Sequence, residues 1–291
     1  MRTWLWALLA GCLGSAAIAR PATVEDYMAL PRVEPQARIA YGAEPAQVAE
    51  LFQPQGKGPH PVVILIHGGC YLAEYQGLAQ TSGLAADLAR RGYAVWNVEY
   101  RKLGEPGAGY PGTFLDVAAA LDHLRTEASR HDLDLKRVVA VGHSAGGHLA
   151  LWAAARHRLP AGGPLASPDP LRISAVVSLG GIGDLRPHAG VFAGACGPSI
   201  AQVAPPDTYA ETSPGELLPG GVRVTMIHGE FDHVMPFDTG EAYAAKAADA
   251  GDTARAIRIE DASHFDVVIP TSRAWREVVA PAIVAEMERL R

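Results

Sequence analysis

The amino-acid sequence predicts one α/β domain, a mostly parallel central β-sheet with helices on both faces. Short aliphatic runs rich in β-branched residues suit strands that are buried on both faces of a parallel sheet. These runs alternate with longer segments of helical spacing, as βαβ units require. The 291 residues are 48% hydrophobic and 19% charged, which is enough for one large core. Open α/β domains often reach this length as a single unit.

The chain before the first long aliphatic run predicts little regular structure. Residues 20–36 are proline-rich and lack apolar periodicity, so we expect an extended lead-in. The segments 38–41 and 49–52 have the pattern of short alternating strands at a sheet edge. Residues 61–66, Pro-Val-Val-Ile-Leu-Ile, are the first run that suits a strand buried on both faces.

The remaining elements follow by the same alternation. Helical spacing predicts helices over residues 75–91, 113–130, 144–156, 239–250 and 272–291. Aliphatic runs predict strands over residues 93–98, 137–141, 173–179, 222–227 and 254–259. Residues 183–219 show neither pattern, and we expect them to form a small loop-rich insert over the functional site.

Residues 1–19 differ in character from the rest of the chain. Arg2 precedes an apolar run from Trp4 to Leu13, and Ala17-Ile18-Ala19 resembles a signal-peptide cleavage site. The apolar run is shorter than the about 20 residues that cross a bilayer. We therefore expect a cleaved signal peptide, an exported protein (periplasmic or secreted) without a membrane span, and a mature domain of residues 20–291.

The three cysteines have different expected roles. Leu9-Ala10-Gly11-Cys12 resembles a bacterial lipobox, so a lipid anchor through Cys12 is the alternative to a cleaved signal. In an oxidising compartment Cys70 and Cys196 could form a disulfide or remain two partly buried thiols. Spacing cannot decide between these, because a bridge requires close Cα atoms. Neither cysteine lies in a CxxC motif or near a pair of histidines, so no metal site or redox role is expected.

The charge of the chain narrows its partners. A net charge of −6 gives no basic footprint for nucleic acid or for anionic lipid. No Gly-x-x-x-x-Gly-Lys-Ser/Thr motif occurs, so a phosphate-cradling loop is not predicted. No cofactor is implied, and no motif indicates an oligomeric state. The expected partner is therefore a small molecule.

The motif Gly142-His143-Ser144-Ala145-Gly146 places a serine between a strand and a helix. The aliphatic residues 138–141 lead into the motif, and an alanine-rich helix follows it. A nucleophile elbow requires this strand–turn–helix context, with small residues where the backbones approach closely. The start of a helix also favours developing negative charge. The sequence therefore predicts that Ser144 is a nucleophile.

A serine hydroxyl is a weak nucleophile unless an oriented base takes its proton. His264 follows the last predicted strand, and Asp232 follows the strand before it, which gives the order serine, acid, histidine. We predict that His264 is the general base and acid and that Asp232 orients its ring through Nδ1. Glu230 is an alternative acid two residues earlier, and Asp184 is expected to cap or brace the loop after the sixth core strand.

The segment His67-Gly68-Gly69-Cys70 follows the strand at 61–66. Glycines there let backbone N–H groups turn toward a substrate carbonyl. We predict an oxyanion hole in which Gly68 or Gly69 (or Cys70) supplies one donor and Ala145 supplies the other. Side chains around this loop and around Asp232 are predicted to line the substrate pocket: Cys70, Tyr71, His143, Phe231 and His233.

These motifs together resemble the α/β-hydrolase superfamily over nearly the whole mature chain. The resemblance rests on His67-Gly68-Gly69, Glu99-Tyr100-Arg101, Gly142–Gly146, Gly180–Leu185 and the segment His228–Asp232. The chain is most similar to the esterase/lipase-type group that includes bacterial feruloyl-esterase-like proteins and kynurenine formamidases. The resemblance implies an α/β-hydrolase fold, an oxyanion hole in the first glycine-rich loop, and a scaffold role for Glu99 and Arg101.

Two departures from the family leave the substrate class open. Hormone-sensitive-lipase-like members carry a third glycine where this chain has Cys70, and formamidase-like members often have an aromatic pair where only Tyr71 follows. We predict a serine hydrolase that cleaves small-molecule carboxylic esters through an acyl-enzyme, so the expected partner is a small-molecule ester or amide substrate. The alternatives are an amidase, an arylformamidase or an exopeptidase on the same fold, and a hydrolase-fold protein that only binds.

Overall fold

The computed structural model describes residues 20–75 and 77–290. The predicted signal peptide at residues 1–19, and with it the alternative lipid anchor at Cys12, lies outside the described residues. Within the described part of the chain, no helix is long and apolar enough to cross a membrane.

Eight strands of the described chain form one sheet. The strands are β1 (Ala37–Ala40), β2 (Val48–Phe52), β3 (His60–Ile66), β4 (Ala94–Val98), β5 (Leu133–His143), β6 (Ala175–Leu179), β7 (Arg223–Phe231) and β8 (Ala254–Ser263). Their order in the sheet is β1-β2-β4-β3-β5-β6-β7-β8. Strand β2 pairs antiparallel with β1 and β4, whereas the pairs from β4 through β3 to β8 are parallel. The predicted, mostly parallel sheet is therefore confirmed.

Helices cover both faces of the sheet. The helices are α1 (Val24–Met28), α2 (Leu78–Arg90), α3 (Gly112–Glu127), α4 (Ala145–Ala154), α5 (Leu185–Cys196), α6 (Ser199–Val203), α7 (Tyr209–Thr212), α8 (Phe237–Asp249) and α9 (Ala280–Glu288). A π-helical turn (Trp275–Val279) precedes α9. Alternate residues of β3 belong to different hydrophobic clusters: Ile64 clusters with α3, α4 and α8 on one face, and Val63 clusters with α2 and α9 on the other.

The predicted extended lead-in is wrong for residues 24–28, which form α1. Thr23 and Asp26 cap this helix reciprocally: the Asp26 amide donates to Thr23 Oγ1 at 3.4 Å, and the Thr23 amide donates to Asp26 Oδ2 at 2.8 Å. Arg20 adds a two-pronged hydrogen bond to the Asp26 carboxylate at 2.6 and 2.9 Å. The Thr-x-x-Asp spacing was the available signal, and the prolines around it obscured it.

The segment 183–219, between β6 and β7, is more helical than predicted because it contains α5, α6 and α7. Asp184 precedes α5 and accepts hydrogen bonds from Lys246 Nζ at 2.6 Å and from Ser213 Oγ at 3.5 Å. It thus braces the loop after β6, as expected. The carboxyl end of α5 reaches the edge of the sheet where β3 and β5 end, which brings it to the site.

Candidate active site

Ser144 lies in a tight turn between β5 and α4. Its φ of +53° is in the left-handed region, which an L-residue adopts only under constraint. A Cβ on Gly142 would overlap the carbonyl oxygen of Gly146, and a Cβ on Gly146 would overlap that of Ile66. The strand, the turn and the helix therefore approach so closely that these two positions accept only glycine. This is the elbow geometry that the motif predicts.

His264 and Asp232 are hydrogen-bonded at the carboxyl ends of β8 and β7. His264 Nδ1 lies 2.8 Å from Asp232 Oδ2, and the amides of Val234 and Met235 donate to Asp232 Oδ1 at 3.0 and 2.7 Å. Burial alone would raise the pKa of Asp232, but the neighbouring His264 and the Met235 amide outweigh it and lower the pKa. The carboxylate therefore stays ionised beside the ring.

The alternative acid, Glu230, takes a different position. Its carboxylate accepts hydrogen bonds from Arg258 at 2.5 Å and from the Asp261 amide at 3.2 Å, on the solvent side of β7. Asp232, rather than Glu230, is thus the carboxylate that the structure places against His264. Ser144 and His264 both line one cavity, so the fold brings the three predicted catalytic residues to the same edge of the sheet.

The glycine loop (residues 67–71) lies against the elbow. Gly69, Cys70 and Tyr71 all have positive φ, at +102°, +54° and +59°. A Cβ on Gly68 would lie 2.9 Å from the carbonyl oxygen of His143 and 3.1 Å from Ser144 Cβ, so the loop packs on the nucleophile with no room for a side chain. Within the part of the chain that the structure describes, the amides of Gly68, Gly69, Cys70 and Ala145 donate no hydrogen bond.

Buried polar side chains hold the first half of the glycine loop. His67 Nε2 lies 2.7 Å from Glu99 Oε1, and its Nδ1 lies 2.7 Å from the Gly68 carbonyl. Tyr100 donates its hydroxyl to the His67 carbonyl at 2.9 Å and stacks on the His67 ring at 4.4 Å. Burial opposes ionisation of Glu99, but the adjacent His67 and Lys102 outweigh it and lower its pKa to about 2. The Glu99-Tyr100 pair is therefore a scaffold for the loop.

The second half of the loop is held by a hydrogen-bond chain and by a covalent bond. Tyr71 donates to His148 Nδ1 at 2.6 Å, and His148 Nε2 lies 2.8 Å from the Thr212 carbonyl. Burial lowers the pKa of His148 to about 4, so the neutral ring donates to Thr212 and accepts from Tyr71. Cys70 and Cys196 form a disulfide with Cα atoms 5.4 Å apart, which ties the loop to α5. The structure thus decides between the two states that spacing left open.

His143 joins the elbow to the loop that carries His264. Its Nε2 lies 3.0 Å from the His264 carbonyl, and the two imidazole rings lie 4.6 Å apart. Burial, together with the nearby His264, lowers the pKa of His143 to about 3. The ring is therefore neutral at ordinary pH and donates from Nε2 to that carbonyl. This contact positions the base but gives His143 no proton to exchange with a substrate.

A cavity of about 250 Å³ opens over Ser144 and is walled mainly by apolar and aromatic groups. Cys70 and His143 line it, as predicted. Tyr71, Phe231 and His233 do not: Tyr71 is fully buried behind the glycine loop, and the other two are exposed because β7 continues through Phe231. The lining residues are Val24, Tyr27, Met28, Gly69, Cys70, Tyr75, Gln80, His143, Ser144, Ala195, Cys196, Val234, His264 and Phe265.

Several of these lining residues were missed by sequence reasoning. Phe265 and Tyr75 lie next to predicted site segments, so proximity along the chain was a usable signal. Val24, Tyr27 and Met28 lie more than a hundred residues before Ser144, and no local pattern connects them to the site. Within the described residues, no cluster of His, Cys, Asp and Glu could hold a metal ion.

The model of the BD-FAE family matches residues 50–246, which include the glycine loop, the elbow and Asp232. The chain belongs to the BD-FAE family. Among curated proteins, this family member is similar to the probable isoprenylcysteine alpha-carbonyl methylesterase ICME of Oryza sativa subsp. japonica, with 25% identity over 244 residues. That match covers 79% of this chain and 58% of the relative.

A second curated relative is esterase LipC of Mycobacterium tuberculosis, with 31% identity over 121 residues. The match covers 40% of this BD-FAE member and 28% of the relative. The chain therefore spans little more than half of the first relative's length and a smaller part of the second's.

Solved structures show the same fold. Esterase B from Lactobacillus rhamnosis superimposes with a TM-score of 0.72 at 21% identity, over 91% of this chain and 90% of that one. A truncated carbohydrate esterase from gut microbiota gives a TM-score of 0.73 at 20% identity, over 93% and 100% of the two chains. The predicted α/β-hydrolase fold of this BD-FAE member is therefore confirmed.

Proposed function

We propose that this chain is a serine hydrolase that cleaves carboxylic esters of small molecules through an acyl-enzyme on Ser144. The observation that carries the proposal is the buried hydrogen bond of 2.8 Å between His264 and Asp232, beside the cavity that Ser144 lines. ICME and LipC are both named as esterases, and this supports an ester as the substrate rather than another acyl compound.

Acylation uses each member of this set once. Ser144 Oγ attacks the ester carbonyl carbon while His264 Nε2 takes the hydroxyl proton, and the Asp232 carboxylate stabilises the resulting imidazolium. The carbonyl oxygen becomes negative and accepts hydrogen bonds from the amide of Gly68 or Gly69 (or Cys70) and from that of Ala145. Losing one such donor typically costs about 2.7–4 kcal/mol of transition-state stabilisation. The tetrahedral intermediate then expels the alcohol, which receives the proton from His264.

Deacylation repeats the steps with water. Neutral His264 takes a proton from the water as it attacks the acyl-enzyme carbonyl, and the same amides bind the second oxyanion. His264 then returns its proton to Ser144 Oγ as the acid leaves. His264 thus carries each proton that is transferred in the cycle.

We also propose that the mature protein is residues 20–291, exported after removal of the signal at residues 1–19. The Cys70–Cys196 disulfide supports export, because disulfides persist in oxidising compartments and are rare in the cytosol. Mass spectrometry of the protein purified from its own cells would show an amino terminus at Arg20. A diacylglyceryl-modified Cys12 would instead establish the lipid-anchored form.

The central test is turnover of p-nitrophenyl acetate and butyrate by the purified protein, together with covalent labelling by a fluorophosphonate. We expect labelling at Ser144, and we expect Ser144→Ala to lower kcat at least about 10³-fold without unfolding the protein. Ser167→Ala, at a serine that does not line the cavity, is the matched control and should retain both turnover and labelling. Labelling without turnover of any short acyl ester would contradict the esterase proposal.

The same assay compares esters with amides. Aryl formamides and aminoacyl anilides with matched acyl groups would reveal an amidase or exopeptidase if they were cleaved faster than the esters. Absence of both labelling and turnover would indicate a hydrolase-fold protein that only binds its ligand.

A further inference from the structure

The first described residues of the chain form part of the cavity wall. In the N-terminal segment (residues 20–28), Val24, Tyr27 and Met28 of α1 all line the cavity over Ser144. The Tyr27 ring is only 3% exposed. Its centroid lies 5.6 Å from that of His143 and 5.7 Å from that of Phe265. The segment is thus packed into the wall of the site and does not lie only on the surface of the domain.

This segment is hydrogen-bonded to both sides of the catalytic histidine. The Ala22 amide donates to Asp266 Oδ2 at 2.9 Å, and Ser263 Oγ lies 2.7 Å from the Ala22 carbonyl. The Ser263 amide also donates to Asp266 Oδ2, at 2.8 Å. Residues 263 and 266 flank His264, so the wall and the base are parts of one hydrogen-bonded unit.

The proton path decides which part of an ester faces this wall. His264 must deliver its proton to the oxygen of the departing alcohol, so that oxygen lies within hydrogen-bond reach of His264 in the reacting complex. Phe265 packs edge-on against the His264 ring at 5.2 Å, and Tyr27 packs on Phe265. The wall formed by α1 and Phe265 therefore lies next to the base that protonates the departing alcohol.

The wall is mainly apolar. Val24, Met28 and Phe265 have no polar side-chain group apart from the Met28 sulfur, and none of the wall side chains is charged. Gln80 also lines the cavity and donates its amide to Met28 Sδ at 2.8 Å. Within the described residues, the buried Tyr27 hydroxyl and Gln80 Oε1 have no hydrogen-bond partner. The apolar part of this surface gains free energy by covering hydrocarbon.

We propose that α1 and Phe265 form the binding wall for the alcohol part of the ester, and that this wall selects alkyl and aryl alcohols. The inference rests on the proposed ester hydrolysis and adds the side of the substrate that the N-terminal segment recognises. It makes Met28 and Val24 specificity-determining residues for the leaving group, with no part in the chemical steps.

The test uses two series of esters with the protein as a full mature chain. One series keeps the acetyl group and varies the alcohol from methanol through butanol to benzyl alcohol. The other keeps methanol and varies the acyl chain. We expect Met28→Ala to lower kcat/KM for benzyl acetate about tenfold relative to methyl acetate, since removing hydrocarbon contact from a pocket costs this order of discrimination. The ranking of acyl chains should not change.

The matched control truncates a side chain two residues after the N-terminal segment, outside the cavity. Leu30 is partly buried against the hydrophobic cluster that contains Val63, α2 and α9, and it does not line the cavity, so Leu30→Ala should leave both rankings unchanged. Deacylation of the common acetyl-enzyme is a further readout, because the alcohol has left by then. Its rate constant should be the same in Met28→Ala as in the unaltered chain.

The outcomes separate the two proposals. If the unaltered chain cleaves esters and Met28→Ala shifts the acyl ranking, or shifts neither ranking, the assignment of the wall to the alcohol is wrong while ester hydrolysis stands. If Leu30→Ala reproduces the effect of Met28→Ala, the segment acts through stability and the inference is also wrong. A chain that neither cleaves esters nor labels at Ser144 would overturn ester hydrolysis and this inference together.

Discussion

The elbow and the glycine loop lie against each other at the same edge of the sheet, yet they are held in different ways. The elbow is fixed by backbone: Gly142 and Gly146 allow strand, turn and helix to touch, and Ser144 is strained between them at φ +53°. The glycine loop is held by side-chain contacts with other elements. These are the hydrogen bond from His67 to Glu99, the hydrogen bond from Tyr71 to His148, and the disulfide to α5.

This difference determines how each region can fail. A backbone-packed turn has no single supporting side chain to remove, and it breaks when atoms are added where there is no room. A loop held by several separate side-chain contacts keeps most of its position when one contact is removed, so activity should fall only in part. The three variants below separate the two modes, and they are ordered from the largest expected effect to the smallest.

The largest effect is expected from Gly142→Ala. The new methyl group would overlap the Gly146 carbonyl, which is backbone and cannot swing away, so the elbow must open. We expect loss of at least about 10³-fold in fluorophosphonate labelling of Ser144, comparable with loss of the nucleophile itself. Thermal unfolding should show a lower melting temperature as well.

Gly190→Ala is the control for that substitution. Gly190 lies within α5 with open space at its Cβ position, and alanine is the better helix former. The variant should label normally and melt at the same or a higher temperature. An active Gly142→Ala variant would show that the elbow can accommodate an added methyl group, and that the elbow and the glycine loop do not differ in the way described.

An intermediate effect is expected from Glu99→Gln. The amide keeps the shape of the carboxylate but removes the charge that faces His67 and Lys102, so the loop keeps its place less tightly. We expect kcat to fall about 10- to 100-fold with KM nearly unchanged, because oxyanion donors act on the transition state. Glu127→Gln, at another buried glutamate remote from the cavity, should change stability and leave kcat intact.

The same carboxylate predicts how stability depends on pH. The ordinary pKa of a glutamate is 4.5, and in the folded protein that of Glu99 is lowered to about 2. A lowered pKa stabilises the fold above pH 4.5, and this contribution, on the order of 3 kcal/mol, is lost as pH falls toward 2. Urea unfolding at pH 6, 4 and 3 should show this loss in the unaltered chain and a flatter profile in Glu99→Gln. If the stability of both proteins depended on pH in the same way, the interaction of ionised Glu99 with His67 and Lys102 would be contradicted.

Much of this site was predictable from sequence, for physical reasons that differ by residue. Ser144 has a local signature because strand, turn and helix are contiguous in the chain, and Asp232 and His264 follow strands whose carboxyl ends must meet at one edge of a parallel sheet. The substrate wall has no such constraint. Val24 and Met28 belong to a short helix whose capping residues can be recognised in the sequence. The place where this helix packs is set by hydrogen bonds to residues 263 and 266, which no local sequence pattern predicts.

The smallest effect on catalysis is expected from the double variant Cys70→Ala/Cys196→Ala. The disulfide closes a long loop of chain, so its loss should cost about 2–5 kcal/mol of unfolding free energy. The glycine loop nevertheless keeps Glu99 and Tyr71, so kcat should fall less than about fivefold. Reductant should lower the stability of the unaltered chain and have no effect on the double variant. A loss of kcat as large as that of Glu99→Gln would mean that the covalent bond, rather than the buried polar contacts, sets the loop against the elbow.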